Sequence, residues 1–204
     1  MRFPTILYVA FSAAAATIFG LNAISVATPG LAMHFRVDIN AVSLATSTYL
    51  LAEIVSMCML PLFLRKFTLP ELLKNGCAGF AIASIFCFLS PHFDALVVGR
   101  LFQGFFAGLM LPLPLLFTQH YVEKTSRFDA LGHYGMSTIV LPVIAPLITL
   151  SLPLNQTHWV FLFLATMALP GLIYSGTPPA LKIENNTKDR KSTRLNSSHY
   201  RRSR

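Results

Sequence analysis

Leu96-Val-Val-Gly-Arg100-Leu-Phe-Gln103-Gly104-Phe-Phe-Ala107-Gly108-Leu-Met-Leu-Pro112 is an apolar run with one cation and a set of small residues inside it. A helix that crosses a bilayer needs about 20 mostly apolar residues. With its flanks (95–118) this run meets that length. An ionisable side chain inside a span costs about 2.5–3.5 kcal/mol on insertion scales, so it usually faces a cavity or a partner. Arg100 therefore has two readings. It points into a bundle, or it snorkels to the outer interface. Gly104, Ala107 and Gly108 form a small-residue face that lets a neighbouring helix approach closely. The stretch reads as one helix of a polytopic membrane bundle.

Further apolar blocks lie on both sides. They predict spans over 5–28, 41–64, 75–90, 95–118, 130–152 and 158–175, the third short enough to need its flanks. Polar connectors are expected over 34–40, 65–74, 90–94, 119–129 and 154–157. Of the 204 residues, 54% are hydrophobic and 12% charged. A soluble globular chain carries about 25% charged residues. The fold class is thus all-α, a membrane bundle of six transmembrane helices over 1–180. Arg2 ahead of the first block resembles a signal peptide start. The block exceeds the ~7–15 residues of a signal core and further spans follow, so a first span is favoured.

The net charge is +8. Arg190, Lys191, Arg194, Arg201, Arg202 and Arg204, with Asp189, supply +5 of it at the C-terminus. The remaining cations sit between apolar blocks, where topology-setting charges belong. A nucleic-acid partner is excluded on that distribution. One set of connectors holds Arg2, Arg65, Lys66, Lys74, Lys124, Arg127, Lys182 and Lys188; the other holds Arg36. The rich set is predicted to be cytoplasmic, with the N-terminus on that side.

After Gly176-Thr-Pro-Pro-Ala180 the sequence turns polar, and 181–188 is expected to be a cytoplasmic segment. Asp189-Arg-Lys-Ser-Thr-Arg-Leu-Asn-Ser-Ser-His199 resembles the translation of a widely used sequencing-library adapter. Residues 189–204 are therefore expected to be an artefact tail and the chain a fragment. The competing reading is a natural basic tail at the inner leaflet. Asn155-Gln-Thr157 fits a glycosylation pattern, which carries little weight alone.

Cys58, Cys77 and Cys87 fall in or beside apolar blocks, are odd in number and lack metal-ligand spacing. Small core residues are the expectation. His34, His92, His120, His133 and His158 sit at span ends or in loops and are too scattered to suggest a metal site. No nucleophile elbow, zinc-protease pair or phosphate loop appears. The chain is read as not an enzyme, without a cofactor or catalytic residues.

Gly20, Pro61, Gly104, Gly108, Pro112, Pro114, Gly135, Pro142 and Pro146 interrupt the spans. Within a bundle, neighbouring helices can re-satisfy the freed backbone groups. These residues are read as ordinary packing or as bends in a machine that changes shape.

Three stretches resemble the major facilitator superfamily, in particular its multidrug proton antiporters of the fourteen-span EmrB-like type. The first is the quoted run, similar to the fourth-helix signature of an Arg followed by Gln-Gly and small residues: Arg100, Gln103, Gly104 and Gly108 here. The second, Gly135-Met-Ser-Thr-Ile-Val-Leu-Pro142-Val-Ile-Ala-Pro146, is similar to the antiporter signature that bends the fifth helix. Its prolines match, while Leu141 and Ala145 replace the preceding glycines. The third is Val26-Ala27-Thr28-Pro29 followed by Tyr49-Leu-Leu-Ala-Glu53. Gly20 stands where the family commonly has an acid in the first helix. Arg65-Lys66-Phe67 is a remnant of the family's basic loop, without its Asp.

The resemblance covers residues 5–180. It implies the N-terminal six-helix half of a transporter, itself built from inverted three-helix repeats. It also implies proton-coupled export of lipophilic compounds from a bacterial cytoplasmic membrane. The implied partners are protons, a small-molecule substrate, the lipid bilayer, the C-terminal half of the same transporter and a periplasmic adaptor protein. A carrier for a sugar or organic anion, or a non-transporting assembly protein, are the rival functions.

Glu53 is the only acid well inside a predicted span. With Arg100 it is the candidate for proton coupling; the competing reading for Glu53 is a structural ion pair or hydrogen bond. Gln103, Gly104, Gly108, Pro142 and Pro146 are the signature and bending candidates. Asn22 is the candidate for the substrate path, and Asn22, Gln103 and Ser56 read equally as polar contacts between helices. Phe102, Phe105 and Phe106 could line a drug cavity, though packing or lipid contact is favoured.

Overall fold

The computed structural model describes residues 4–173. Residues 181–188, the expected adapter tail 189–204 and the last residues of the expected sixth span lie outside them.

The first helix, α1 (Thr5–Phe35), is longer than the sequence suggests. The helix runs past the expected boundary near residue 28 and continues through Pro29. Arg36 stops it in the left-handed conformation at φ 53, with its backbone N–H on the carbonyls of Ala32 and Met33. Asp38 then starts α2 (Ile39–Phe63), its carboxylate accepting from the Asn40 backbone N–H at 2.7 Å.

The third span also begins earlier than expected. In α3 (Leu69–Leu89), Glu71 accepts from both the backbone N–H and the hydroxyl of Thr68 at 2.8 Å. Pro70 sits in the first turn, where its missing N–H removes nothing. These local signals begin the helix before exposed Lys74, so a full-length span replaces the short one expected over 75–90.

The fourth span is divided. It comprises α4 (Phe93–Met110) and α5 (Leu113–Tyr121), with the break at Leu111 and Pro112. Pro112 and Pro114 cannot donate to the preceding turn, which costs the helix two bonds in close succession. By contrast α6 (Arg127–Leu150) runs unbroken through Pro142 and Pro146. The sixth apolar segment is shorter, formed by α7 (Trp159–Met167) and α8 (Leu169–Ile173). Among the described residues five helices are long and apolar enough to cross a membrane.

α4 packs against α2 on one side and α3 on the other, while α1 packs against α6, α2 and α7. Side-chain size sets these approaches. In lipid there is little hydrophobic drive between helices, so small residues that allow close backbone contact do much of the work. A Cβ on Gly104 or Gly108 would overlap the backbone of Tyr49 or Glu53, respectively. Both contacts advance by four residues together, so α4 and α2 run parallel. The inner face of α1 is rich in alanine: Ala10, Ala13, Ala14, Ala23 and Ala27 are all buried. Gly20 faces the side chain of Leu164 from α7, which a Cβ there would crowd.

The outward surfaces are apolar. α2 exposes Leu51, Ile54 and Leu62, and α6 exposes Ile139, Val143 and Leu147. Such faces suit lipid or further helices rather than water.

Candidate functional site

Arg100 is fully buried, at 0% exposure, which excludes the snorkelling alternative. Its Nη1 donates to Gln103 Oε1 at 2.5 Å, one turn along the same helix. The amide of Gln103 continues to α3, where its Nε2 donates to Ser84 Oγ at 2.6 Å. Ser84 in turn donates to the carbonyl of Phe80 at 2.7 Å. From the other side, α2 supplies an aromatic platform. The guanidinium carbon of Arg100 lies 4.0 Å from the centre of the Tyr49 ring. A desolvated cation over a ring gains about 2 kcal/mol.

Three helices therefore converge on one guanidinium, and its hydrogen bonding is incomplete. Among the described residues, Arg100 Nε and Nη2 and the hydroxyls of Tyr49 and Ser56 have no partner. Each is a donor. An unmade hydrogen bond on a buried group costs about 1–3 kcal/mol, and more on a charged one. The guanidinium thus keeps two N–H groups without an acceptor, beside hydroxyls that could accept as well as donate.

Glu53 supplies the obvious acceptor. It lies one turn beyond Tyr49 on the buried face of α2, which also carries Ser56 and Leu60. Its side chain is nearly buried, at 9% exposure. No ion pair joins Glu53 to Arg100 among the described residues, although each lies within reach of the other's charge. The arrangement holds an acid and a cation close together but unpaired. Such a pair can respond chemically to gain or loss of a proton on the acid, whereas Arg stays charged.

Of the remaining candidates, the two glycines of α4 adjoin this cluster and the others do not. Gly104 and Gly108 form the crossing of α4 over α2, directly beside Tyr49 and Glu53. Pro142 and Pro146 lie within α6 and away from Arg100 along the chain, both half-buried. A Cβ on Gly135 meets nothing within 4 Å, so that glycine makes no close approach within this chain. Asn22 is half-buried and turns back on α1, its Nδ2 donating to the Ile18 carbonyl at 2.8 Å. Phe102 is exposed and, with Phe106, lines an apolar groove of about 300 Å³ between α3 and α4. Phe105 instead packs edge-on to Phe63.

Two residues of the site were given no role by the sequence. Ser84 carries no signal among the small residues of its span. Tyr49 has one, since it precedes Glu53 by four positions and so shares its helix face.

Comparison with known proteins bears on the family and the fold. The Major Facilitator Superfamily profile matches residues 10–204. The chain is 28% identical to the fatty acid resistance protein FarB of Neisseria gonorrhoeae over 68% of this chain and 27% of that protein. It is 30% identical to the colistin resistance protein EmrB of Acinetobacter baumannii over 64% of this chain and 26% of that protein. The chain thus spans about a quarter of the length of these relatives. The crystal structure of a D-xylose-proton symporter superposes with a TM-score of 0.74 at 13% identity, over 96% of this chain and 52% of that one. At that identity the likeness concerns the fold. A multi-pass helical bundle with this superposition and this profile match identifies the chain as a member of the Major Facilitator Superfamily.

Proposed function

We propose that this chain is the N-terminal bundle of a transporter that exports lipophilic compounds in exchange for protons. The observation that carries the reading is the buried Arg100, held over Tyr49 and within reach of the charge of Glu53, with no ion pair between the two among the described residues. A carboxyl group in this position can take up a proton when it faces one side and release it on the other. Arg100 does not carry the proton; it biases the acid by its distance. Transport then follows alternating access, in which two bundles rock about a site near the middle of the bilayer.

The exposed faces of α2 and α6 suit contact with a second bundle, the expected C-terminal half of the same transporter. Asn22 is assigned to the substrate path, and Pro142 and Pro146 to bending of the fifth span. The relatives named for fatty acid and colistin resistance support an amphiphilic or lipophilic substrate. A bacterial cytoplasmic membrane, a cytoplasmic N-terminus and a periplasmic adaptor as partner belong to the same proposal.

The test is proton-coupled efflux of a lipophilic dye by the whole transporter in cells and everted vesicles. Glu53→Gln keeps size and hydrogen bonding but cannot ionise, so it should abolish coupling while dye still binds. Arg100→Lys keeps the charge but loses the planar fork, and should weaken efflux less than Arg100→Ala. Normal export by Glu53→Gln across the pH range would move the coupling acid elsewhere. The absence of any gradient-dependent flux by the parent would favour a non-transporting assembly role.

A further inference from the structure

We propose that Ser84 of α3 is a positioning residue for Arg100, acting through the carboxamide of Gln103. This rests on the reading of Arg100 as the coupling cation.

A serine hydroxyl has one proton and two lone pairs. Ser84 uses its proton on the Phe80 carbonyl of its own helix at 2.7 Å. Toward Gln103 it can then only accept, and Gln103 Nε2 donates to it at 2.6 Å. With the amide nitrogen held there, Oε1 must face the other way, onto Arg100 Nη1 at 2.5 Å. Arginine has no acceptor, so the opposite amide orientation would set donors against donors. The polarity of the chain is thus fixed from Phe80 to Arg100. All three side chains are fully buried, so water does not replace a lost partner.

This tether matters because, among the described residues, it is the one hydrogen bond that the guanidinium makes. Nε and Nη2 have no partner among the described residues, and the Tyr49 ring gives a platform without a direction. The titratable groups facing Arg100 are Tyr49 and Glu53 from α2 and Cys87 from α3. Of these, Glu53 is the strongest acceptor available to a released guanidinium. Ser84 therefore holds Arg100 away from Glu53 and ties that separation to the packing of α3 on α4. A shift of α3 relative to α4 loosens the amide and lets the cation move toward the acid.

The experiment is the pH profile of proton-coupled dye exchange by the whole transporter in everted vesicles. The variants are Ser84→Ala, Ser84→Thr, Gln103→Leu and the double variant Ser84→Ala with Gln103→Leu. Loss of the hydroxyl should lower exchange near neutral pH about tenfold, the scale of one buried bond in a charged network. It should also move the profile to lower pH, because a carboxylate that Arg100 reaches is harder to protonate. Ser84→Thr keeps the hydroxyl and should exchange like the parent. The double variant should match Gln103→Leu alone, since both changes cut the same tether.

An unmoved pH profile in Ser84→Ala, a Thr variant as impaired as Ala, or additive effects in the double variant would each overturn the proposal. If Ser84→Ala does not accumulate in the membrane, Ser84→Cys carries the same test with a much weaker acceptor of similar size. Arg100→Lys and Glu53→Gln are measured alongside. Normal exchange by both removes the coupling reading and this proposal with it. Impaired exchange by both, beside a normal Ser84→Ala, removes the Ser84 assignment alone.

Discussion

Gly108 of α4 rests against the main-chain carbonyl of Glu53 in α2, closely enough that a Cβ there would overlap it. One turn earlier Gly104 meets Tyr49 in the same way. The acid and the aromatic platform of the candidate site are thus set at the crossing of two helices. Contact between a glycine and a backbone cannot be relieved by rotating a side chain. Gly104→Ala and Gly108→Ala should each destabilise the transporter by about 1–3 kcal/mol, as overpacked sites do. Thermal unfolding of the detergent-solubilised protein measures this. Gly132→Ala, where a Cβ meets open space within a helix, is the control and should hold or raise the melting temperature. Equal stability of all three variants would refute the close crossing.

The break in the fourth span has a specific brace. The carbonyl of Leu111, at the junction of α4 and α5, accepts a hydrogen bond from the Tyr134 hydroxyl of α6 at 3.3 Å. The Tyr134 ring also stacks on Phe11 of α1, with centroids 5.5 Å apart. Tyr134→Phe keeps the stack and removes the bond. Hydrogen exchange of the amides in α5 should accelerate, with a stability loss of about 1 kcal/mol. Unchanged exchange across the junction would show that the prolines alone set its stiffness.

Pro142 and Pro146 act within a continuous helix. Each lacks an N–H and crowds the preceding turn, which favours a bend that alanine would remove. Replacing both by alanine should leave the transporter's abundance in the membrane intact while impairing efflux. Dye export at matched expression decides this, and parental rates in the double variant would reduce both prolines to tolerated interruptions.

At the start of α3, Glu71 receives two hydrogen bonds from Thr68. Glu71→Ala removes its half of the capping box and should loosen the start of α3. The loss should show as fraying of the first turn of α3 by hydrogen exchange, with efflux retained. A protected first turn in the variant would mean that Pro70 and packing alone hold the helix start.

The sequence by itself determined the fold class and much of the site's membership. Apolar blocks of spanning length leave the backbone little choice in a bilayer, where every N–H and C=O must be satisfied within the protein. Arg100 and Glu53 were legible for the same reason, because a charge within a span is costly and rare. The spacing of Arg100 and Gln103 on one helix face was legible too. Tertiary structure decided the rest. Whether Arg100 faced the bundle or the interface depended on Tyr49 and Ser84, which lie on other helices and are brought near by packing. The same residue type had opposite consequences in two spans: Pro112 and Pro114 divide the fourth, while Pro142 and Pro146 leave the fifth unbroken. The unmatched N–H groups of Arg100 also belong to tertiary structure. The sequence neighbourhood supplies Gln103, while the Tyr49 platform and the Ser84 tether come from other helices.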